Sequence, residues 1–230
     1  MTRPSSLPPD DAKAARVQQM FDSIAPRYDL VNRVMTFGLD VAWRKKAVAS
    51  LDLVAGDVAV DVACGTGDLC RELQRSGAQT VGIDYSFGML ANAHTEAPLI
   101  QADGLALPLR DGVARAITCG FALRNVISIE GLFTEFARVI SDGGRVAILE
   151  VAQPSSPVVK AGHRLYFHKV VPWVGGLLSY KPAYRYLPDS TAYLPSTPEL
   201  LEMLRSAGFT AVRSKPLGLG AAQLITARRT

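Results

Sequence analysis

Cysteine is scarce in this chain. Cys64, Cys70 and Cys119 are the only three, and an odd count without framework spacing excludes a disulfide-built scaffold and points to a reducing compartment. Histidine is equally scarce. His94, His163 and His168 are too scattered to form a ligand cluster, so no metal is expected. No stretch approaches the ~20 uninterrupted apolar residues of a membrane-spanning helix. One-sided charge is missing too: 25 Lys and Arg stand against 21 Asp and Glu, for a net charge of +4 and an isoelectric point near 9.0. Basic residues adjoin only at Arg44-Lys45-Lys46 and Arg228-Arg229. That is too mild for a nucleic-acid reader, so no nucleic acid is expected. Attraction to an anionic membrane surface is compatible with it.

What is present suits one α/β domain. The 230 residues are 48% hydrophobic, ample for a single core with insertions. Residues 1–11 are polar and Pro-rich and read as a disordered tail without a signal-peptide pattern. Residues 12–230 read as the domain, and a cytoplasmic location is expected.

The organising stretch is Val58-Ala-Val-Asp-Val-Ala-Cys-Gly-Thr-Gly-Asp68. Its apolar run predicts a strand buried on both faces. Gly65-Thr66-Gly67 predicts a tight turn, and Leu69 and Leu73 the apolar stripe of a helix closed by Gly77. A dinucleotide fingerprint is absent, because its third glycine position holds Cys70. The turn instead resembles the nucleoside-binding loop of class I S-adenosylmethionine (SAM) methyltransferases. Two further strands end in acids. Gln79–Asp84 places Asp84 where doubly wound folds bind ribose hydroxyls, although a helix cap is the plainer role for such an acid. Pro98–Gly104 places Asp103 where it could accept from an adenine amino group.

Ahead of the first strand, Ala12–Ile24 predicts a helix broken by Pro26. A second helix is expected through Asn32–Met35 and a third, capped by Asp40, through Trp43–Leu51. These helices cannot join the sheet directly and are placed to cover the ligand crevice. Phe21, Phe37 and Trp43 read as core, and Tyr28, accompanied by Asp29 and Asn32, as a site residue. Downstream, a helix is expected over Phe87–Thr95, a strand over Ala114–Cys119, a helix over Ile129–Ile140, a turn at Asp142-Gly-Gly144 and a strand over Arg145–Val151. Arg124-Asn125 follows an apolar strand beside the crevice. Residues 153–195 break the pattern with an aromatic-rich insertion, read as a helical lid for a bulky apolar substrate or as a side-packing piece. A helix from Thr197 and strands at Phe209–Pro216 and Ala221–Ala227 close the sheet.

Phe21-Asp-Ser-Ile-Ala-Pro-Arg-Tyr-Asp-Leu-Val-Asn32, Thr36–Trp43, Asp61–Asp68, Phe121-Ala-Leu-Arg-Asn-Val126, Arg138–Glu150 and Tyr184–Ser190 together resemble the menaquinone/ubiquinone C-methyltransferases, the MenG/UbiE family. The resemblance covers about residues 15–226. It implies a Rossmann-like fold with a mostly parallel seven-stranded sheet, N-terminal helices and a helical insertion after the fifth strand. It implies SAM as cofactor, with Gly65, Thr66, Gly67, Asp84, Tyr85, Asp103, Gly104 and Gly120 holding it. The substrate implied is a polyprenylated quinol, demethylmenaquinol, methylated on its ring, with Arg124, Asn125 and Tyr28 as the catalytic set. Arg124 would stabilise a phenolate while Asn125 and Tyr28 orient the ring. A tailed substrate also implies contact with the inner face of a membrane, and a homodimer stays open.

The chain departs from the family pattern at Asp40 (usually His), Ser141-Asp142 (Lys-Pro), Ala152 (Ser) and Ile225 (His). The first two read as surface or turn positions. The departures bear on the substrate more than on fold or cofactor. They leave room for a methyltransferase acting on a soluble metabolite, and for a non-catalytic scaffold of the same fold, against which intact Gly65, Gly67, Asp84 and Arg124 speak.

Overall fold

The computed structural model describes residues 10–152 and 194–230. The expected tail, apart from its last two residues, and nearly all of the expected insertion lie outside them. Helix α1 (Asp10–Ile24) runs into a 3-10 turn at Ala25–Arg27, then α2 (Tyr28–Met35) and α3 (Leu39–Ala49). The sheet is built from β1 (Val58–Val62), β2 (Gln79–Asp84), β3 (Leu99–Gln101), β4 (Ala114–Gly120), β5 (Ile140–Val151), β6 (Phe209–Leu217) and β7 (Ala222–Arg229). Between them lie α4 (Asp68–Arg75), α5 (Phe87–Ala91), α6 (Ile129–Val139) and α7 (Thr197–Ser206).

The strand order is β3-β2-β1-β4-β5-β7-β6. The first five strands pair in parallel, and β7 runs antiparallel to both neighbours. This is the mostly parallel seven-stranded Rossmann-like sheet that the motifs imply. Burial follows the two-residue period of a strand covered on both faces. Val60, Ile117, Val146 and Ile148 pack with Phe133 and Phe136 of α6 and Leu200 and Leu204 of α7. The alternate residues Ala59, Ala116, Ala147 and Leu149 pack with Trp43 of α3 and Leu69 and Leu73 of α4. Three alanines on that face let the two helices approach the sheet closely.

Several boundaries differ from the sequence-based expectation. Helix α2 begins at Tyr28, because Pro26 ends α1 while its fixed φ suits the 3-10 turn that leads into α2. Asp40 does not cap α3: Gly38, at φ +73°, holds the cap position. Nor is Asp40 a surface residue. It is 1% exposed, accepts a hydrogen bond from Thr36 Oγ1 at 2.7 Å and pairs with Arg44, which reaches on to Asp68 Oδ2 at 3.1 Å. Phe37 is not core, being 79% exposed. Helix α5 stops at Ala91, short of Thr95. Asp142-Gly-Gly144 is an irregularity within β5 rather than a turn before it, for the pairing jumps from Ala114 with Ile140 to Ala116 with Arg145. Gly143, at φ +70°, absorbs the extra residues.

Asp61 is the unusual member of the sheet. It sits in the middle of β1, 1% exposed, accepting from Thr118 Oγ1 at 2.7 Å and from Cys70 Sγ at 3.5 Å. Burial pushes its carboxyl up to about 7, and the two hydrogen bonds only partly oppose that. In the unfolded chain the same group releases its proton near ~3.9. Between those values the native state binds more protons, so Asp61 favours folding at low pH and that advantage is lost as pH rises toward 7. Urea unfolding of the wild type and Asp61→Asn between pH 5 and 8 tests this. The wild type should lose stability relative to the variant as pH rises, by at most roughly 1.4 kcal/mol per unit; a pH-independent difference would show that Asp61 is ionised throughout.

Candidate active site

Strand order reverses between β1 and β4: β2 and β3 extend the sheet one way, β5 the other. Loops leaving the two strands therefore diverge and open a crevice at their carboxyl ends. Both exits are conformationally unusual. Ala63, just past β1, has φ +55°, and Phe121, just past β4, has φ +58°. Non-glycine residues rarely hold such angles without a surrounding structure that enforces them, and such strain concentrates at functional sites. Gly65 and Gly67 continue the first exit at φ +56° and +83°. A Cβ on Gly67 would lie 2.6 Å from Thr95 Cγ2, so that glycine is required for space as well as angle.

Over the crevice lies an open-mouthed cavity with a wall more apolar than polar, the character usual for ligand sites. Of the residues expected from the sequence, Gly65, Asp84, Tyr85, Asp103, Gly104, Gly120, Tyr28 and Asn125 line it. Thr66, Gly67 and Arg124 do not, and stand behind the wall. Asp84 Oδ2 accepts from the Gly65 N–H at 2.7 Å and Oδ1 from the Ser86 N–H at 2.8 Å. It thus ties the first βα turn to the second. Burial pushes the Asp84 carboxyl up, against those backbone hydrogen bonds. Capping α5 falls to Ser86, whose hydroxyl accepts from Met89 N–H at 3.1 Å, so Asp84 is spared for the cavity. Asp103 is exposed at the far edge.

The N-terminal helices roof the crevice, as their position before the sheet suggests. Asp22 of α1 accepts from Ser86 Oγ at 2.5 Å and Gly88 N–H at 2.8 Å. Gln18 donates to the Tyr85 carbonyl at 3.3 Å. Asp29 of α2 accepts from Thr66 Oγ1 at 2.5 Å, so Thr66 serves as the latch between α2 and the glycine turn. Val17, Gln18, Phe21 and Tyr28 thereby become cavity wall. Phe21 has two roles: it packs against the small Ile24–Val31 cluster, as its spacing suggests, and it also walls the cavity; an amphipathic pattern does not reveal the second.

Glu150 is a buried charge behind the cavity wall that sequence reasoning does not single out. Fully buried near the end of β5, it pairs with Arg124 Nη1 at 2.5 Å and accepts from the Leu123 N–H at 2.9 Å. An apolar strand ending in Glu, together with an Arg after the neighbouring strand, is the signal that could have found it. The pair buries Arg124 to 5% exposure and fixes the 3-10 turn Leu123–Asn125. Asn125 is thereby held at the cavity with its Oδ1 buried and without a hydrogen-bond partner, the one such side-chain atom among the described residues. A buried orphan acceptor costs roughly 1–3 kcal/mol, which a ligand donor would recover. Burial pushes the Tyr28 phenol up, against a hydrogen bond with Asn32 and the positive charges of Arg124 and Arg44; it stays neutral at ordinary pH and can donate.

The cavity fits an adenosyl group. It offers a carboxylate in Asp84 with lone pairs beyond the two N–H groups it already holds, a second acid in Asp103, and apolar walls in Ile83, Met89 and Leu105. Asp84→Asn should weaken SAM binding at least tenfold by calorimetry while unfolding remains cooperative, consistent with roughly 1.5–3 kcal/mol for a charge-assisted hydrogen bond. Unchanged affinity would remove Asp84 from the site.

Comparison with known proteins agrees with this geometry. The profile of the ubiE/COQ5 methyltransferase family matches residues 10–229. The demethylmenaquinone methyltransferase of Roseiflexus castenholzii is 41% identical over 228 residues, covering 96% of both chains. The ubiquinone/menaquinone biosynthesis C-methyltransferase UbiE of Syntrophotalea carbinolica is 39% identical, covering 92% of this chain and 93% of its own. Among solved structures, a SAM-dependent methyltransferase of Thermotoga maritima superposes with a TM-score of 0.66 at 17% identity, covering 93% of this chain and 100% of that one; this speaks for the fold. The chain belongs to the ubiE/COQ5 methyltransferase family.

Proposed function

We propose that this chain methylates a ring carbon of demethylmenaquinol, a quinol carrying a polyprenyl tail, as a step of menaquinone biosynthesis. The demethylmenaquinone methyltransferase relatives support the substrate class. Within the molecule, the supporting observation is the unpartnered Asn125 Oδ1 sharing with Tyr28 a cavity whose wall also includes the apolar Val17, Phe21, Val126, Ile127 and Leu132. An aromatic ring with hydroxyl donors satisfies both features.

When bound, SAM supplies an electrophilic methyl group on a sulfonium, held by Gly65, Asp84, Tyr85, Asp103, Gly104 and Gly120. The protein must make the accepting carbon electron-rich. A quinol carbon becomes so when the neighbouring hydroxyl is deprotonated. Arg124 cannot take that proton efficiently, because a guanidinium remains protonated in proteins. Its fixed charge, clamped by Glu150 behind the cavity wall, instead favours the phenolate, and the proton passes to water. The hydrogen of the methylated carbon then leaves as a proton and returns through water to the ring oxygen, which restores the quinol. Neutral Tyr28 donates to the ring oxygen, and Asn125 Oδ1 accepts from the second hydroxyl. Together they set the ring's angle, and alignment of this kind contributes up to roughly 7–11 kcal/mol.

Incubation with methyl-labelled SAM and a panel of demethylated quinols and tail-free hydroxyarenes, followed by product mass, tests the assignment. Label should enter the ring of the tailed quinol. Label on a soluble arene in preference would replace this reading with that of a soluble-metabolite enzyme. Arg124→Ala should lower kcat by at least about tenfold, since it removes the nearby positive charge and frees the turn that presents Asn125, with Arg124→Lys recovering part of it. Glu150→Gln should lower kcat and also stability, because it leaves the buried Arg124 charge uncompensated, while the SAM affinity of the folded protein should change little. Near-normal turnover of Arg124→Ala would end its role.

A further inference from the structure

Helix α2 and the turn behind it expose large apolar side chains: Leu30 is 55% exposed, Val34 42%, Phe37 79% and Leu39 47%. Leu30 and Val34 are one helical turn apart and share a face. Phe37, at φ +52°, and Gly38, at φ +73°, form the tight corner that carries Phe37 outward. Charge on this segment is sorted with equal clarity. Its two acids are turned inward: Asp29 accepts from Thr66 Oγ1 at 2.5 Å, and Asp40 is 1% exposed beside Arg44. The exposed charges between residues 27 and 46 are Arg27, Arg33, Lys45 and Lys46, all positive, with Arg33 also 3.5 Å from Asp68 Oδ1.

We propose that this surface is where the protein lies on an anionic phospholipid bilayer. Leu30, Val34, Phe37 and Leu39 enter the boundary between headgroups and acyl chains, and the basic residues meet the headgroup charge. An amphipathic element of this kind binds by buried apolar area together with attraction to anionic lipid. Two observations favour lipid over a second copy of the chain. A two-fold contact centred on the patch would oppose Lys45 and Lys46 to themselves, an arrangement that like charges disfavour. And the same helix presents Tyr28 to the cavity from its opposite face, so docking Leu30 and Val34 leaves a single helix between the bilayer and the cavity. Among the described residues no helix is long and apolar enough to cross a membrane; a surface contact supplies the access that a tailed quinol needs. The inference rests on the quinol reading for its purpose, but not for its measurement.

Co-sedimentation of the full chain with vesicles of phosphatidylglycerol and phosphatidylcholine, against phosphatidylcholine alone, tests it without substrate. Binding should require the anionic lipid and weaken with salt. Leu30→Asp with Val34→Asp should weaken it at least tenfold. Lys45→Glu with Lys46→Glu should weaken it on anionic vesicles alone, and serves as the second variant should the first fold poorly. Both should retain SAM affinity and turnover of a quinol with a short, soluble tail, while losing turnover of a long-tailed quinol in vesicles. Vesicle binding that neither variant alters overturns the proposal. So does failure of the wild type to bind, which would mean that another part of the chain covers the patch. A mass in sedimentation equilibrium that falls from dimer to monomer in Leu30→Asp/Val34→Asp, with vesicle binding unchanged, would reassign the face to self-association. Absence of short-tail turnover in the wild type would instead defeat the quinol reading and leave the vesicle result standing.

Discussion

The reversal of strand order between β1 and β4 is the constraint on which the rest of the molecule depends. Two parallel strands hydrogen-bonded side by side, Ala59 with Ala116 through Val62 with Cys119, send their loops in opposite directions. Neither loop can cover the gap that results. The polypeptide meets this with unusual backbone at both exits, positive φ at Ala63 and Phe121, and with a roof brought from outside the sheet. Carboxylates near the gap hold these pieces together. Asp84 ties the first turn to the second, Asp22 ties the roof to the second, and Asp29 ties it to the first. Each accepts from backbone N–H or hydroxyl donors, a pairing that tolerates burial because the charged acceptor is satisfied.

A second layer of constraint comes from the buried Arg124–Glu150 pair. A buried ion pair adds little net stability, but removing one partner leaves an uncompensated charge and is strongly destabilising. Its value here is positional. Glu150 also binds the Leu123 N–H, so one carboxylate sets both the guanidinium and the backbone of the turn that presents Asn125. The unpartnered Asn125 Oδ1 is the reverse case: an acceptor left unsatisfied at the cavity, a deficit that a ligand can repair.

Much of this is legible in the sequence. The apolar runs, their acidic ends and the glycine turn predict a parallel α/β sheet, and eight of the expected site residues do meet around one cavity. The failures share a cause. Asp40 reads as a cap on an exposed position because Asp is a good cap; a buried partner, Arg44, overrides that preference. Phe37 reads as core because it is aromatic, yet it faces solvent. Arg124 is expected at the substrate, and lies behind the wall because Glu150, in a neighbouring strand, draws it there.

Local pattern alone therefore settled which segments contain strands and which chemical groups stand near their carboxyl ends, because periodicity and turn preference act over a few residues; the start of β5 at Ile140 lay beyond it. The order of the strands, the docking of α1 and α2 over the crevice, and the choice between wall and interior for each polar side chain were decided by contacts between residues far apart in the chain. Those contacts depend on which charges find partners once water is excluded. That is a property of the packed molecule, and no stretch of the sequence carries it by itself.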